Sequence, residues 1–198
     1  MKILIKILFA STLIVLSPII FFFMLLVLIE NGKPALFIQE RLGKNMTIIR
    51  IYKIRTMKNN TPNLGTHEVN NSNYLKVGSI LRKTKIDELP QVLNYLNGDI
   101  NLIGPRPGLP NQLELKKYRE LNRIFDVKPG ITGLAQVLGY DMSKPELLAL
   151  VDRIYINNKS IKLDLLIFLA TFFRFAKNII NKLYGNDIKE MEDKIKNV

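Results

Sequence analysis

From Ile7 through Ile29 the chain carries no charge, and that stretch limits the fold more than any other. A helix needs about 20 apolar residues to cross the hydrocarbon core of a bilayer, so the remaining residues have to fold beside a membrane-embedded helix. A cleaved signal peptide fits poorly, because the run is too long and no small-x-small site comes after it. Ser17 and Pro18 lie near its middle, and a proline there removes a helical hydrogen bond and predicts a kink. Lys2 and Lys6 precede the run and Lys33, Arg41 and Lys44 come after it, so flanking cations give no orientation. Two topologies stay open: a kinked span, or a broken helix that enters and leaves on the cytoplasmic face.

The chain as a whole is strongly basic. A net charge of +12 calls for an anionic partner such as nucleic acid, lipid head groups or a phosphorylated substrate. The basic residues are dispersed and do not interleave with aromatics, which argues against nucleic acid. There is no cysteine, which excludes disulfides, thiolate catalysis and cysteine-ligated metals. The single histidine, His67, sits in an asparagine-rich loop reaching from Asn59 to Asn73 and reads as non-catalytic. Any metal must then take oxygen ligands, which points to magnesium, manganese or calcium. At 198 residues the chain suits one globular domain with appendages.

After the apolar run, Leu36–Arg41 and Thr47–Lys53 flank the turn-forming Leu42-Gly43-Lys44-Asn45 and predict a β-hairpin. Its end is basic through Arg50, Lys53, Arg55 and Lys58. A short helix is predicted over Tyr74–Leu81. The next stretch, Arg82-Lys-Thr-Lys-Ile-Asp-Glu-Leu-Pro-Gln91, places two adjacent acids after several cations. Thr84 and Asp87 have capping-box spacing, which puts Asp87 and Glu88 in the first turn of a helix running to Asn97-Gly98. On this decapeptide alone the acids read as a plain helix cap. Pro105-Arg106-Pro107 fixes one arginine between two prolines, which suits either a rigid turn or a preset phosphate contact.

Helices are predicted over Leu109–Phe125 and Pro145–Asn157. Lys128–Val137 reads as a second loop punctuated by glycine and proline. A long amphipathic helix is predicted over Ile161–Tyr184. Its Leu/Phe face and its cations Arg174, Lys177 and Lys182 suit a membrane interface, with a buried core helix as the competing reading. Residues 186–198 read as a charged, disordered tail.

Taken together, Ser17-Pro18, Gln39–Gly43, Tyr52–Met57, Arg82–Gln91, Gly98-Asp99, Gly104–Pro107 and Lys128–Gln136 resemble the bacterial sugar transferase family, the small monotopic phosphoglycosyl transferases. The resemblance runs from Ser17 to Asp164, and its order and spacing make it specific. It implies transfer of a phospho-sugar from a UDP-sugar to polyprenol (undecaprenyl) phosphate, with release of UMP. That step begins the assembly of bacterial surface glycans and glycoproteins and feeds downstream glycosyltransferases. Asp87 would be the nucleophile and a ligand of Mg²⁺, with Glu88 as its dyad partner. Arg82, Pro105, Arg106 and Gln136 would bind substrate. Ser17 and Pro18 would break a re-entrant helix at the cytoplasmic face of the inner membrane, among phospholipids. Larger relatives carry extra transmembrane helices, and this chain looks like the minimal catalytic form. Where the family often has arginine, this chain has Lys128, which loses the bidentate fork and receives no role. Gly108–Gln112 and Val137–Ser143 are candidates for sugar selectivity.

The expected fold is α+β and mostly helical. It has a membrane-embedded re-entrant helix over 1–32 and a catalytic domain over 33–185 with a small β-hairpin and amphipathic interfacial helices; the tail spans 186–198. A membrane-bound adaptor with a basic surface explains the charge and the first helix, but not the acids of Arg82–Gln91 or the rigid arginine loop.

Overall fold

The computed structural model describes residues 2–61 and 73–196; residues 62–72, including His67 and most of the asparagine-rich loop, lie outside the described residues. The chain is mostly helical with a few short strands, as expected. It divides into two units, Met1–Glu40 with Ile49–Asp99, and Arg41–Ile48 with Ile100–Val198.

The first unit begins with helix α1, Lys2–Asn31. Helical structure continues through Pro18, and the reason is local. Proline has no N–H to give the carbonyl four residues back, and the Ser17 hydroxyl donates to that same carbonyl, Ile14 O, at 2.7 Å. One side of α1 packs into a cluster through Leu13, Ile20, Phe23, Met24 and Val27, together with Ile54, Leu75, Val77, Leu81, Ile86 and Leu89. Ile14, Val15, Phe21, Phe22, Leu25 and Ile29 are exposed. Strands β1 (Leu36–Leu42) and β2 (Ile48–Ile54) form the two-stranded sheet that the hairpin pattern predicts.

Helix α2, Lys76–Thr84, starts at Leu75, whose side chain cannot cap. The cap comes from α1 instead: the Glu30 carboxylate accepts from Lys76 N at 2.6 Å and Val77 N at 3.0 Å. Two open N–H groups are thereby satisfied, and a negative charge stands at the positive end of the helix. Thr84 does not cap the turn of the two acids, contrary to the capping-box expectation. It is the last residue of α2, and its hydroxyl points back to Ile80 O at 2.9 Å and Leu81 O at 3.1 Å. Lys85, at φ 58°, ends α2, and Asp87 and Glu88 occupy a separate 3-10 turn, Ile86–Glu88. Helix α3 begins after Pro90 as Gln91–Asn97 and closes on Gly98 at φ 82°, as expected.

The second unit contains a feature that the sequence pattern does not predict. Both punctuated loops contribute strands, β3 (Asn101–Ile103) and β4 (Gly130–Thr132), which pair in parallel with Asn101 opposite Gly130 and Ile103 opposite Thr132. Glycines allow the approach. A Cβ on Gly130 would collide with the backbone N of Gly104 and stand 2.7 Å from its Cα and O. The remaining helices are α4 (Leu113–Leu121), α5 (Leu134–Leu138), α6 (Pro145–Asn157), α7 (Ile161–Phe172) and α8 (Arg174–Lys196). Helix α6 has the predicted bounds. The single long helix is in fact two, broken at Phe173, whose backbone is extended (φ −118°, ψ 126°).

The expected tail is helical as well, because Ile188, Met191 and Ile195 continue the buried spacing of Ala176, Ile180 and Tyr184. Lys144 Nζ meets Glu192 Oε1 at 2.6 Å within the same unit. The long stretch has a buried face, as the core reading expects, and an exposed apolar face. Leu163, Ile167, Ala170, Ala176 and Ile180 are core, whereas Leu165, Phe168, Phe172, Phe173, Phe175, Ile179 and Leu183 are exposed.

The glycine contacts predict opposite outcomes at two sites. Gly130→Ala forces backbone apart and is expected to cost roughly 1–3 kcal/mol, as overpacking does. Gly185→Ala, on α8 with nothing within 4 Å of its Cβ, is expected to gain about 0.5–1 kcal/mol. Thermal unfolding of the two variants in detergent measures the contrast.

Candidate active site

In the first unit the two acids sit on a turn with no side-chain cap. Asp87 is buried, at 6 % exposure. Ile86 and Leu89, on either side of the acids, pack on the cluster that holds α1, so the turn is seated on the apolar helix. Glu88 Oε1 receives Lys53 Nζ at 2.7 Å, with both side chains under one-fifth exposed. The ammonium balances one of two adjacent carboxylates, so the pair does not present two uncompensated charges to a phosphate. Arg82, in the last turn of α2, lies over the Tyr74 ring with its guanidinium carbon 4.8 Å from the centroid, and its Nη1 donates to Tyr74 Oη. Gln91, one turn beyond the acids, is buried at 3 %, and its Nε2 donor has no partner among the described residues.

Strand β2 is held to α3 by Asn94, which is fully buried. Its Oδ1 accepts from Tyr52 N at 3.1 Å, and its Nδ2 donates to Arg50 O at 2.6 Å and Asp99 Oδ2 at 3.1 Å. The amide thus fixes the backbone on both sides of Ile51, two residues before Lys53.

Pro105, Arg106 and Gln136 belong to the second unit. Between Ile103 and Leu109 only Arg106 is not buried. The carbonyls of Pro105 to Gly108 each have a donor: Gly130 N to Pro105 O at 2.9 Å, Arg119 Nη1 to Arg106 O at 2.7 Å, Arg41 Nη1 to Pro107 O at 3.1 Å and Leu42 N to Gly108 O at 2.9 Å. The backbone is pinned, and the Arg106 side chain is half-buried. Gln136, on α5, donates through Nε2 to Ile131 O at 3.2 Å, and its Oε1 is buried with no partner among the described residues. Ser17 and Pro18 lie on α1 in the first unit, with Arg82, Asp87 and Glu88.

The first unit thus holds a buried carboxylate on a turn seated against an apolar helix, and the second a pinned loop that bears Arg106. Comparison with known proteins identifies the group. The bacterial sugar transferase family matches residues 1–178. This chain belongs to that family. It is 39% identical over 155 residues to the sugar transferase EpsL of Bacillus subtilis, covering 78% of this chain and 76% of that one. It is 36% identical over 167 residues to the UDP-N-acetylgalactosamine-undecaprenyl-phosphate N-acetylgalactosaminephosphotransferase of Aeromonas hydrophila. It is also 34% identical over 181 residues to the UDP-glucose:undecaprenyl-phosphate glucose-1-phosphate transferase of Escherichia coli. The chain spans 38% of the length of each of these last two proteins.

The structure also gives reasons for bacterial sugar transferase motifs that sequence alone left without a role. Gln39–Gly43 contributes Arg41 and Leu42 to the arginine loop. Tyr52–Met57 contributes Lys53 to Glu88. Sequence reasoning counted Lys53 only among the cations of a basic hairpin end. It passed over Asn94, in the middle of α3, and Glu30, near the end of α1, because a lone polar residue on a helix looks like ordinary surface.

Asn94 supplies the test. Asn94→Ala leaves the Tyr52 N–H, the Arg50 carbonyl and an Asp99 oxygen without that partner. Each buried orphan costs about 1–3 kcal/mol, so a fall of several degrees in the thermal midpoint is expected, against little change for Asn157→Ala at the end of α6.

Proposed function

We propose that this protein transfers a phospho-sugar from a UDP-sugar to undecaprenyl phosphate at the cytoplasmic face of the inner membrane, releasing UMP and starting surface glycan assembly. The names of the Aeromonas and Escherichia relatives support this substrate class. The observation that carries it is the seat of Asp87: a buried carboxylate whose flanking Ile86 and Leu89 pack into the cluster of the apolar helix. A polyprenol phosphate keeps its chain in lipid and its head group at the interface, so a nucleophile serving it has to work beside membrane-embedded structure.

In this mechanism an Asp87 oxygen attacks the β-phosphorus of the UDP-sugar. An O–P bond forms, the pyrophosphate P–O bond breaks, and UMP leaves with the electron pair. An oxygen of undecaprenyl phosphate then attacks the same phosphorus, the bond to Asp87 breaks, and the free carboxylate returns. The acceptor is already ionised, so no strong base is required. Glu88, neutralised by Lys53, orients the turn, and Arg82 and Arg106 are the arginines assigned to phosphate oxygens.

Among the described residues no three Asp, Glu or His side chains gather. The carboxylates of the described residues would then offer a cation few protein oxygens, Asp87 first. That donor set fits Mg²⁺, which keeps several waters and draws its other ligands from substrate phosphates. Bound there, Mg²⁺ would neutralise charge on the pyrophosphate.

A re-entrant α1 is part of the proposal, and the contacts of α1 support it. The Phe9 ring lies 5.1 Å from that of Tyr95 on α3, while Glu30 caps α2. Those two points are about 31 Å apart along a straight helix at the usual rise, roughly the thickness of the hydrocarbon core. A perpendicular span would drag α3, with Gln91, Asn94 and Asn97, through the bilayer, and a helix that re-enters avoids this. The exposed apolar side of α1 then faces lipid.

Two measurements test the reading. Wild-type protein is expected to release UMP from at least one member of a UDP-sugar panel when undecaprenyl phosphate is supplied. Asp87→Asn is expected to drop that release to background while leaving membrane association intact; retained release would sink the nucleophile assignment, and no turnover of any UDP-sugar would favour a membrane-bound adaptor. Single cysteines replacing Lys2 and Lys33 are expected to label from the same, cytoplasmic side. Labelling from opposite sides would establish a spanning helix.

A further inference from the structure

Two opposite charges lie in the core of the second unit, on residues that are not themselves assigned to substrate. Arg119 on α4 and Asp152 on α6 are each 3 % exposed at the side chain, with Nη2 and Oδ2 2.6 Å apart. Such a pair is a poor way to stabilise a fold. Desolvation consumes most of the Coulomb gain, and well-packed apolar residues of similar volume often serve as well or better. Burial pushes the Asp152 carboxyl up even against the pull of the guanidinium, so the site resists the charge it holds.

What an apolar pair could not supply is the other end of the fork. Arg119 Nη1 donates to the carbonyl of Arg106 itself at 2.7 Å. Lysine could not do the same, because one ammonium cannot present two N–H groups in a fixed plane to acceptors on different elements. The surroundings are close: a Cβ on Gly108 would stand 3.5 Å from Arg119 Nη1 and 3.1 Å from Leu115 Cδ2. The neighbouring carbonyls are tied by Gly130 N, Arg41 and Leu42, and Arg119 holds the carbonyl of Arg106 itself.

We propose that Arg119, aimed by Asp152, is a positioning residue for Arg106: it fixes the carbonyl of that residue and so the base from which the guanidinium side chain reaches. The kinetic consequence rests on the transferase reading, in which Arg106 meets phosphate. The tie to the loop does not. A displacement of about 1 Å in a positioned group can cost on the order of a hundredfold in rate, so loosening one peptide of a pinned loop should be visible.

The test replaces both charges together, Arg119→Met with Asp152→Leu, which leaves no orphaned ion. The full chain is assayed in detergent for its thermal midpoint, for amide exchange of the peptide spanning residues 103–109, and for UMP release. The expected result is a midpoint close to wild type, faster exchange in that peptide alone, and a fall of about 10–100-fold in kcat/KM for the UDP-sugar. In an Arg106→Ala background the same pair of changes should cost nothing further, because Arg119 acts through Arg106. Unchanged exchange would overturn the tie even if no UDP-sugar were turned over, a result that by itself would count against the transferase reading alone. Faster exchange with wild-type kcat/KM, or a full additional loss in the Arg106→Ala background, would overturn the positioning role. If the double variant does not fold, Arg119→Lys, which keeps the charge and loses the fork, is read by the same exchange and additivity measurements.

Discussion

The packing of α1 on α2 is the contact on which the first unit depends. A membrane helix has no hydrophobic reason to leave lipid for protein, since lipid tails are as apolar as leucine. What ties α1 to the polar part of the chain has to include something lipid cannot offer. Glu30 provides it: a carboxylate accepting two backbone N–H groups of α2, which bilayer hydrocarbon would leave open. Asn59 adds a second tie at the same end, its Nδ2 donating to Asn31 O at 3.0 Å and Lys33 O at 3.1 Å. With that end fixed, Val77 and Leu81 of α2 meet Ile20 and Val27 of α1, and the turn bearing Asp87 and Glu88 is carried into place.

The same logic of satisfied backbone governs the second unit. Its central strands have three residues each and could not persist alone. They survive because Gly104, Gly130 and Gly133 let the two stretches approach until backbone meets backbone, and because Tyr155 locks the assembly from α6. Its hydroxyl lies 2.8 Å from Asp164 Oδ1 and 3.3 Å from Ile103 O. Burial, reinforced by Asp164, raises the phenol well above its ordinary value, so it stays a neutral donor throughout the physiological range. Rigidity here comes from hydrogen bonds to short, awkward segments more than from regular secondary structure.

These features explain what the sequence disclosed. Helix α6 was legible to the residue because Pro145 starts it and its apolar spacing is clean. The hairpin and the Gly98 cap came from equally local signals. The parallel pair was not legible, since strands of three residues have no periodicity, and their pairing partner lies nearly thirty positions away. Thr84 misled because capping-box spacing says nothing of which helix owns the threonine. The end of α8 was hidden by its charges, which outnumber Ile188, Met191 and Ile195 without disturbing their alignment. The candidate acids of the first unit and the arginine loop of the second announced themselves by composition. Their supports, Lys53, Asn94, Arg119 and Asp152, act across long sequence separations and carried no local mark.

The exposed apolar residues complete the physical argument. In a protein surrounded by water, Phe168, Phe172, Phe173 and Phe175 beside Leu165, Ile179 and Leu183 would form a patch of the kind that drives aggregation or binding. Arg174, Lys177 and Lys182 sit among them, the pairing of aromatic and aliphatic groups with cations that suits an anionic lipid surface. The first unit has its own such face on α1. Each unit therefore carries an apolar surface with a reason to leave water, and under the proposed membrane placement neither needs the other to reach the bilayer. With the membrane-held acceptor proposed above, this arrangement is an advantage, because both the residue proposed to attack and the loop proposed to hold phosphate belong to units that each carry an apolar surface.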